Sequence, residues 1–288
     1  MGRKRWTLVT VLTVAGCVAA LAAGTAIPAT ASAAVATTNI CTSAAHPRIA
    51  GRMSRGIAAV LANRRGSVVG LAASAPADGL TCAFHQWRYF YSASVVKVTI
   101  LSSLLLKEGA PGHLTSKQRS LANQMITQSS NSAATALWDE VGMRSLQHFL
   151  DEAGMRHTIL NGRAWGLTQI TAHDELTLLN LLTTPGSVLN NRSRDYVLQL
   201  MSEVTPSERW GVSAGAPASV TVHIKNGWLP YPGSDDWRIN SIGAFTGTGI
   251  TYQIVVLTGP PAGSGQSEGY GITTTENVAA VINRGLAG

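Results

Sequence analysis

Charge is scarce in this chain: Asp, Glu, Lys and Arg make up 13% of its 288 residues, against 45% hydrophobic. That balance excludes a disordered chain and leaves ample apolar surface for one large domain or two intimately packed ones. Cysteine is scarcer still, with three residues, and no Cys/His cluster has metal-ligand spacing, so no metal site and no cofactor are expected. No glycine-rich phosphate loop follows a strand-like run, which removes that class of site. There is no internal repeat. The one candidate membrane span, near the N-terminus, is interrupted by Gly24 and Pro28 before it reaches the roughly 20 apolar residues a span needs.

That N-terminal stretch reads instead as an export signal over residues 1–33. Arg3, Lys4 and Arg5 form its positive start, Trp6 to Ala23 its apolar body, and Ala31-Ser32-Ala33 an A-x-A cleavage site, with the mature start near Ala34. A competing reading takes Val14-Ala15-Gly16-Cys17 as a lipobox with Cys17 as a lipid-modified N-terminus. The residues after Cys17 stay apolar, which argues against it. The mature protein is then expected to be secreted, with no stable membrane anchor and with the cell wall as an option. Its formal charge falls from +7 to +4 once three basic residues leave with the signal. A mild positive balance suits an anionic surface such as a bacterial wall and is too diffuse for nucleic acid. Cys41 and Cys82 remain. In an exported chain they suggest a disulfide tying segment 34–48 to the strand that carries Cys82, with two buried free thiols as the alternative.

Helical spacing of Met53, Ile57, Ala58, Val60 and Leu61 predicts an amphipathic helix over 49–65. Strand-like runs follow at 67–74 and 80–87 around a turn at Ala75-Pro76-Ala77-Asp78-Gly79. A helix from Ser94 to Glu108 stops at Gly109 and Pro111. From Thr115 to Glu203 the chain is helix-rich: Thr115 with Gln118 makes a capping box, Gly142 and Gly154 punctuate helices, and Thr171 with Asp174 or Glu175 caps another. Then come β-rich runs at 220–226, 237–245 and 251–258, and a closing amphipathic helix over 275–286. This order predicts an α+β fold: one five-stranded antiparallel sheet flanked by the N- and C-terminal helices, plus an all-helical lobe. The domain spans 49–288, with an α/β lobe at 49–93 and 204–288 and the helical lobe at 94–203. A cleft between the lobes would hold the site.

Chemistry concentrates at Ser94-Val95-Val96-Lys97. Residues three apart share a helix face, so the Lys97 amine lies within reach of the Ser94 hydroxyl. Burial among Val95, Val96, Val98 and Leu101 would lower the lysine pKa from about 10.4 and make it a base for a serine nucleophile. Downstream stand Ser129-Ser130-Asn131 and, on a strand, Lys225-Asn226-Gly227-Trp228.

Together these resemble, in order, the S-x-x-K, S-x-N and K-[T/S]-G motifs of the penicillin-recognising serine hydrolases. The resemblance covers nearly the whole mature chain and is nearest the class A β-lactamase-related hydrolases. The runs Trp165-Gly166-Leu167-Thr168, Arg209-Trp210-Gly211-Val212 and Lys225-Asn226-Gly227-Trp228-Leu229 look like a secreted branch common in actinomycetes. It implies Ser94 as the acylated nucleophile, Lys97 as its base, and Ser129 as the relay of a proton to the leaving nitrogen. Asn131 would hold the substrate amide carbonyl, and Lys225 would set the field near Ser129 and attract a substrate carboxylate. The backbone N–H groups of Ser94 and Trp228 would form the oxyanion hole, with Gly227 and Asn226 beside them. Arg238 matches the family loosely as a bidentate partner for the carboxylate.

Two departures stand out. The segment Leu160 to Ile170 contains no acid where class A enzymes carry the glutamate that activates the deacylating water, so deacylation is expected to be slow. Asn226 replaces a Thr or Ser hydroxyl used on the carboxylate. Several residues also admit plainer roles: His223 as a structural strand histidine rather than a substitute base, Asp174 and Glu175 as caps, and Trp165, Trp210, Trp228 and Trp237 as packing rather than cleft lining. The expected function is a secreted, monomeric serine hydrolase acylated by β-lactams or D-Ala-D-Ala-type peptides of peptidoglycan. The alternative is a non-catalytic penicillin-binding, wall-binding or sensor protein. Within enzymes, a D,D-peptidase or esterase remains open.

Overall fold

Strand side chains alternate between faces, so a sheet covered on both sides must be apolar at nearly every position. Strand β2 (Val68–Ala75) reads VVGLAASA, and β8 (Ile250–Gly259) is buried from Tyr252 to Gly259. Ala72, Ile242, Val255 and Leu257 enter one hydrophobic core, while Leu71, Ala73, Ile254, Val256 and Phe245 enter a second on the other face. The structure, a computed structural model, describes residues 39–186, 188–231, 233–261 and 264–287. The expected signal, its cleavage site and Cys17 lie outside these residues.

The main sheet also contains β1 (Cys41–Ser43), β3 (Leu80–Phe84), β6 (Thr221–Pro230) and β7 (Trp237–Gly247), in the order β1-β3-β2-β8-β7-β6. All its pairings are antiparallel. It therefore has six strands, not the expected five. The extra one is β1, which lays Cys41 directly opposite Cys82 at the sheet edge, where the two are joined by a disulfide. Closing that loop stabilises the fold by on the order of 4 kcal/mol in the chain-entropy picture. A two-stranded pair, β4 (Phe90–Tyr91) with β5 (Gln169–Ile170), lies apart from it.

Helices α1 (Pro47–Asn63) and α7 (Glu268–Ala287) cover the face of the second core. The first core is shared with α2 (Val96–Glu108), α3 (Ser116–Thr127), α4 (Asn131–Ala153), α5 (Ala172–Thr183) and α6 (Asn191–Ser202). Every residue of α2 from Val96 to Leu105 is buried, so it is a central helix that meets solvent only in its last turn. The expected capping box forms at α3, where the Thr115 hydroxyl accepts the Gln118 backbone N–H at 3.1 Å and the Gln118 side-chain Oε1 accepts the Thr115 N–H at 2.7 Å. Gly142, at φ 78° and ψ 151°, breaks α4 into two segments. Among the described residues no helix is long and apolar enough to cross a membrane.

Candidate active site

Ser94 does not open the α-helix as its sequence suggests; it sits in a 3-10 turn, Ala93–Val95, that feeds into α2 one residue later. Ala93 is held at φ 48°, a conformation that L side chains adopt at a cost. Three contacts hold the turn there. The Asn240 amide on β7 donates to the carbonyls of Tyr91 (2.8 Å) and Ser92 (3.2 Å), and the Ser92 N–H donates to the Thr168 carbonyl at 2.8 Å. Strand β6 presses on the turn from the third side. A Cβ at Gly227 would lie 2.7 Å from the Ser94 nitrogen and 2.9 Å from the Val95 nitrogen, so only glycine permits this approach. It brings the backbone of Gly227 against the Ser94 amide.

Lys97, fully buried on the first turn of α2, is the hub. Its Nζ lies 2.9 Å from Ser94 Oγ, 2.8 Å from Asn131 Oδ1, 2.6 Å from the Ser129 carbonyl and 3.2 Å from Ser129 Oγ. A neutral amine has two N–H donors and one lone pair. The donors match the two oxygens of Asn131 and Ser129, which leaves the lone pair facing the Ser94 hydroxyl. Burial lowers the Lys97 pKa to about 7, the Lys225 charge adds to the fall, and Glu208 opposes it. Ser129 stands in the turn between α3 and α4 at φ 55°, so two of the three non-glycine residues with positive φ among those described belong to this site.

Lys225 reaches Ser129 from β6. Its Nζ donates to Ser129 Oγ and to the Asn226 carbonyl, each at 2.9 Å. Burial lowers its pKa to about 8, against the pull of Glu208, whose Oε2 lies 3.7 Å away. Glu208 was invisible to motif reading; it stands beside the quoted Arg209-Trp210-Gly211 run, with nothing in its spacing to mark it. Asn240 and Thr168, the anchors of the Ser94 turn, were missed likewise.

The opposite wall is a different material. A cleft of about 280 Å³ opens over Ser94 and Asn131, lined by Ala164, Trp165, Gly166 and Leu167 and by Trp228 and Leu229. The Trp165 ring lies 4.9 Å from Lys97 Nζ, and its indole N–H donates to Thr135 Oγ1 at 3.1 Å. Trp210 packs edge-on against Trp228, whereas Trp237 is not among the lining residues.

Two residues expected to bind substrate, Asn226 and Arg238, have their side chains engaged within the protein. The Asn226 side chain is fully buried and turned inward, donating to the carbonyls of Glu208 and Trp210 and accepting from Ser241 Oγ at 2.6 Å. Strand alternation sends it into the protein, where it holds the Glu208 turn. Arg238 stacks between the rings of Tyr91 and Tyr231, at 4.6 and 3.3 Å, and lines a separate cavity. His223 is held at both ring nitrogens, by the Leu198 carbonyl at 2.7 Å and Thr246 Oγ1 at 2.8 Å, and burial lowers its pKa. It is a structural residue.

Residues 106–284 match the family model of the beta-lactamase enzyme family. No curated protein matches the chain. A beta-lactamase from Desulfarculus baarsii aligns with a TM-score of 0.69 at 18% identity, over 83% of this chain and 98% of its own. One from Streptosporangium roseum gives 0.68 at 18%, over 82% and 99%. A leucine-to-glutamate mutant of PBP-A, solved as an acyl-enzyme complex with penicillin G, gives 0.68 at 18%, over 82% and 97%. At these identities the structures share the fold with this chain.

Proposed function

The chain belongs to the beta-lactamase enzyme family, and from that membership we propose that it is an exported serine hydrolase in which β-lactams or D-Ala-D-Ala-type peptides acylate Ser94 and leave slowly. The observation that carries the reading is the unbroken path from Ser94 Oγ through Lys97 Nζ to Ser129 Oγ and Lys225 Nζ, with links of 2.9, 3.2 and 2.9 Å. Neutral Lys97 takes the hydroxyl proton as Ser94 Oγ attacks the carbonyl carbon. The N–H groups of Ser94 and Trp228 stabilise the oxyanion, a donor of this kind being worth about 2.7–4 kcal/mol. Ser129 passes a proton to the departing nitrogen, the C–N bond breaks, and the acyl group stays on Ser94. Lys225 keeps Ser129 polarised and favours a substrate carboxylate nearby.

Release needs a base for water, and the cleft residues 164–167 include none. The next acids along the chain, Asp174 and Glu175, are fully buried. The Cys41–Cys82 disulfide supports an oxidising, extracytoplasmic compartment.

Intact mass of the protein after exposure to penicillin G tests the reading. The expected result is a mass increase of one penicillin that persists for minutes or longer and is absent in Ser94→Ala. A folded sample with neither adduct nor hydrolysed penicillin would overturn it and favour a wall-binding or sensor protein. The apolar wall and the inward Asn226 make that second reading specific. Release of D-alanine from a dipeptide substrate, compared with hydrolysis of a chromogenic cephalosporin and an ester, separates peptidase, lactamase and esterase.

A further inference from the structure

Beneath the cleft loop, the structure gathers three donors that the Ser94 site does not use. Asp174, in the first turn of α5, is fully buried. Its Oδ2 is committed, accepting the His157 backbone N–H at 2.8 Å and the Thr158 hydroxyl at 2.9 Å. Its Oδ1 faces two imidazoles, with His157 Nδ1 at 3.5 Å and His173 Nδ1 at 3.4 Å. Donor atoms of the three residues all lie within 4.8 Å of one another. His157 Nδ1 is shut off from solvent and makes no hydrogen bond.

A charge-assisted N–H···O bond to a carboxylate runs about 2.7–2.9 Å. A tetrahedral ion bonded at about 2.0–2.1 Å sets its ligand atoms roughly 3.3–3.4 Å apart. The two edges at Asp174 Oδ1, 3.5 and 3.4 Å, are long for the first and near the second, the His173 contact lying at the far limit of a hydrogen bond, and the edge between the imidazoles is no more than 4.8 Å, so a small turn of the rings completes the set. Both rings are packed on one side. Trp87 stacks on His173 at 4.0 Å and lies 4.8 Å from His157, and the backbone N–H of His173 donates to the Gln86 carbonyl at 3.0 Å. Side-chain exposure of 43% and 37% at the two histidines leaves a way in and free coordination positions for water.

We infer that His157, His173 and Asp174 form a binding site for a divalent transition-metal ion of the zinc class. Two imidazoles and one carboxylate suit zinc, copper or nickel, whereas calcium and magnesium want oxygen ligands. The Thr158 hydroxyl and the His157 N–H on Oδ2 are the outer contacts that aim Oδ1 at the ion. Its place in the fold gives it a consequence. Ile159 and Gln169 pair by reciprocal backbone bonds of 2.9 and 3.0 Å, closing the neck of the loop that carries Ala164 to Leu167 into the cleft. His157 and His173 lie just outside that neck, so the ion clamps both ends of the cleft loop.

The test uses untagged protein stripped with a chelator. Titration calorimetry with zinc chloride is expected to give one ion per chain and a raised thermal midpoint, with calcium chloride giving neither. Copper sulfate is expected to quench the Trp87 share of the emission, and Trp87→Phe to remove that quenching while keeping zinc stoichiometry. His157→Gln and His173→Gln, both at partly exposed rings, are each expected to weaken zinc binding by roughly 100-fold with the metal-free midpoint unchanged. Absence of zinc binding at micromolar concentration, or binding that survives both histidine variants, overturns the assignment. Neither outcome bears on acylation of Ser94, which the penicillin mass measurement reads separately.

Discussion

One wall of the Ser94 cleft is polar and hydrogen-bonded, the other apolar and without a titratable group. On the first wall Lys97, Ser129, Asn131 and Lys225 arrive from α2, the α3–α4 turn, the start of α4 and β6, and Lys97 Nζ, Ser129 Oγ, Asn131 Oδ1 and Lys225 Nζ form one set linked at hydrogen-bond distance. On the second wall Ala164, Trp165, Gly166 and Leu167 face the same space with carbon and one indole. On the proposed acyl-transfer reading, the difference separates the two halves of the cycle. Making the acyl-enzyme needs a proton acceptor and a relay, and those lie on the polar wall. Breaking it needs a base aimed at water, and the apolar wall offers none.

Four measurements break or sharpen this contrast. The largest effect is expected from Lys97→Met, which removes the base while keeping the helix apolar. The acylation rate should fall by about 10³-fold in stopped-flow with a reporter β-lactam, the usual reach of a positioned base. A rate within threefold of the parent would take the base elsewhere. Next, Leu167→Glu places a carboxylate on the apolar wall. Deacylation followed by intact mass should quicken by roughly 10- to 100-fold, an unoptimised share of general-base assistance.

A smaller shift is expected from Glu208→Gln. Acylation should rise with pH through about 7 as Lys97 loses its proton and fall through about 8 as Lys225 loses its own, the two limbs belonging to the coupled pair. Glu208 raises both lysines, so its removal should move both limbs to lower pH, the alkaline limb more, because Glu208 stands 3.7 Å from Lys225. Smallest in catalysis is Glu175→Gln, behind the apolar wall. Burial, and then the Asp174 charge, push this carboxyl up to about 8, and neither of its oxygens has a hydrogen-bond partner. The unfolded chain releases that proton near 4.5 and the folded chain near 8, so the native state binds more protons between them and stability falls as pH rises through that window. The glutamine variant should lose that slope in thermal melts and leave deacylation unchanged. Slower deacylation would make Glu175 the missing base and dissolve the contrast.

The Ser94 end of the polar wall was readable because it is local: Ser94 and Lys97 are three residues apart where the 3-10 turn runs into α2, and α2 is apolar enough to announce its burial. Ser129, Asn131 and Lys225 were readable through their order along the chain. Glu208, Asn240 and Thr168 were not, because each acts through a contact that no periodicity encodes; the Asn240 bond to Tyr91 spans 149 positions. The surroundings of Arg238 were hidden for the complementary reason. Its charge suggested a substrate carboxylate, while the fold offered it two tyrosine rings.

The sequence by itself determined the alternation of helices and strands, the capping box at Thr115, the cysteine pair and the set of groups that would do chemistry. These follow from period, from turn chemistry and from residue type, all of which act over a few neighbouring positions. Tertiary structure alone decided the sixth strand, the inward turn of Asn226, the lowered pKa of Lys225, and the meeting of His157, His173 and Asp174 around one oxygen. Burial and proximity are properties of the packed chain, and they set both the charge of an amine and the company a carboxylate keeps.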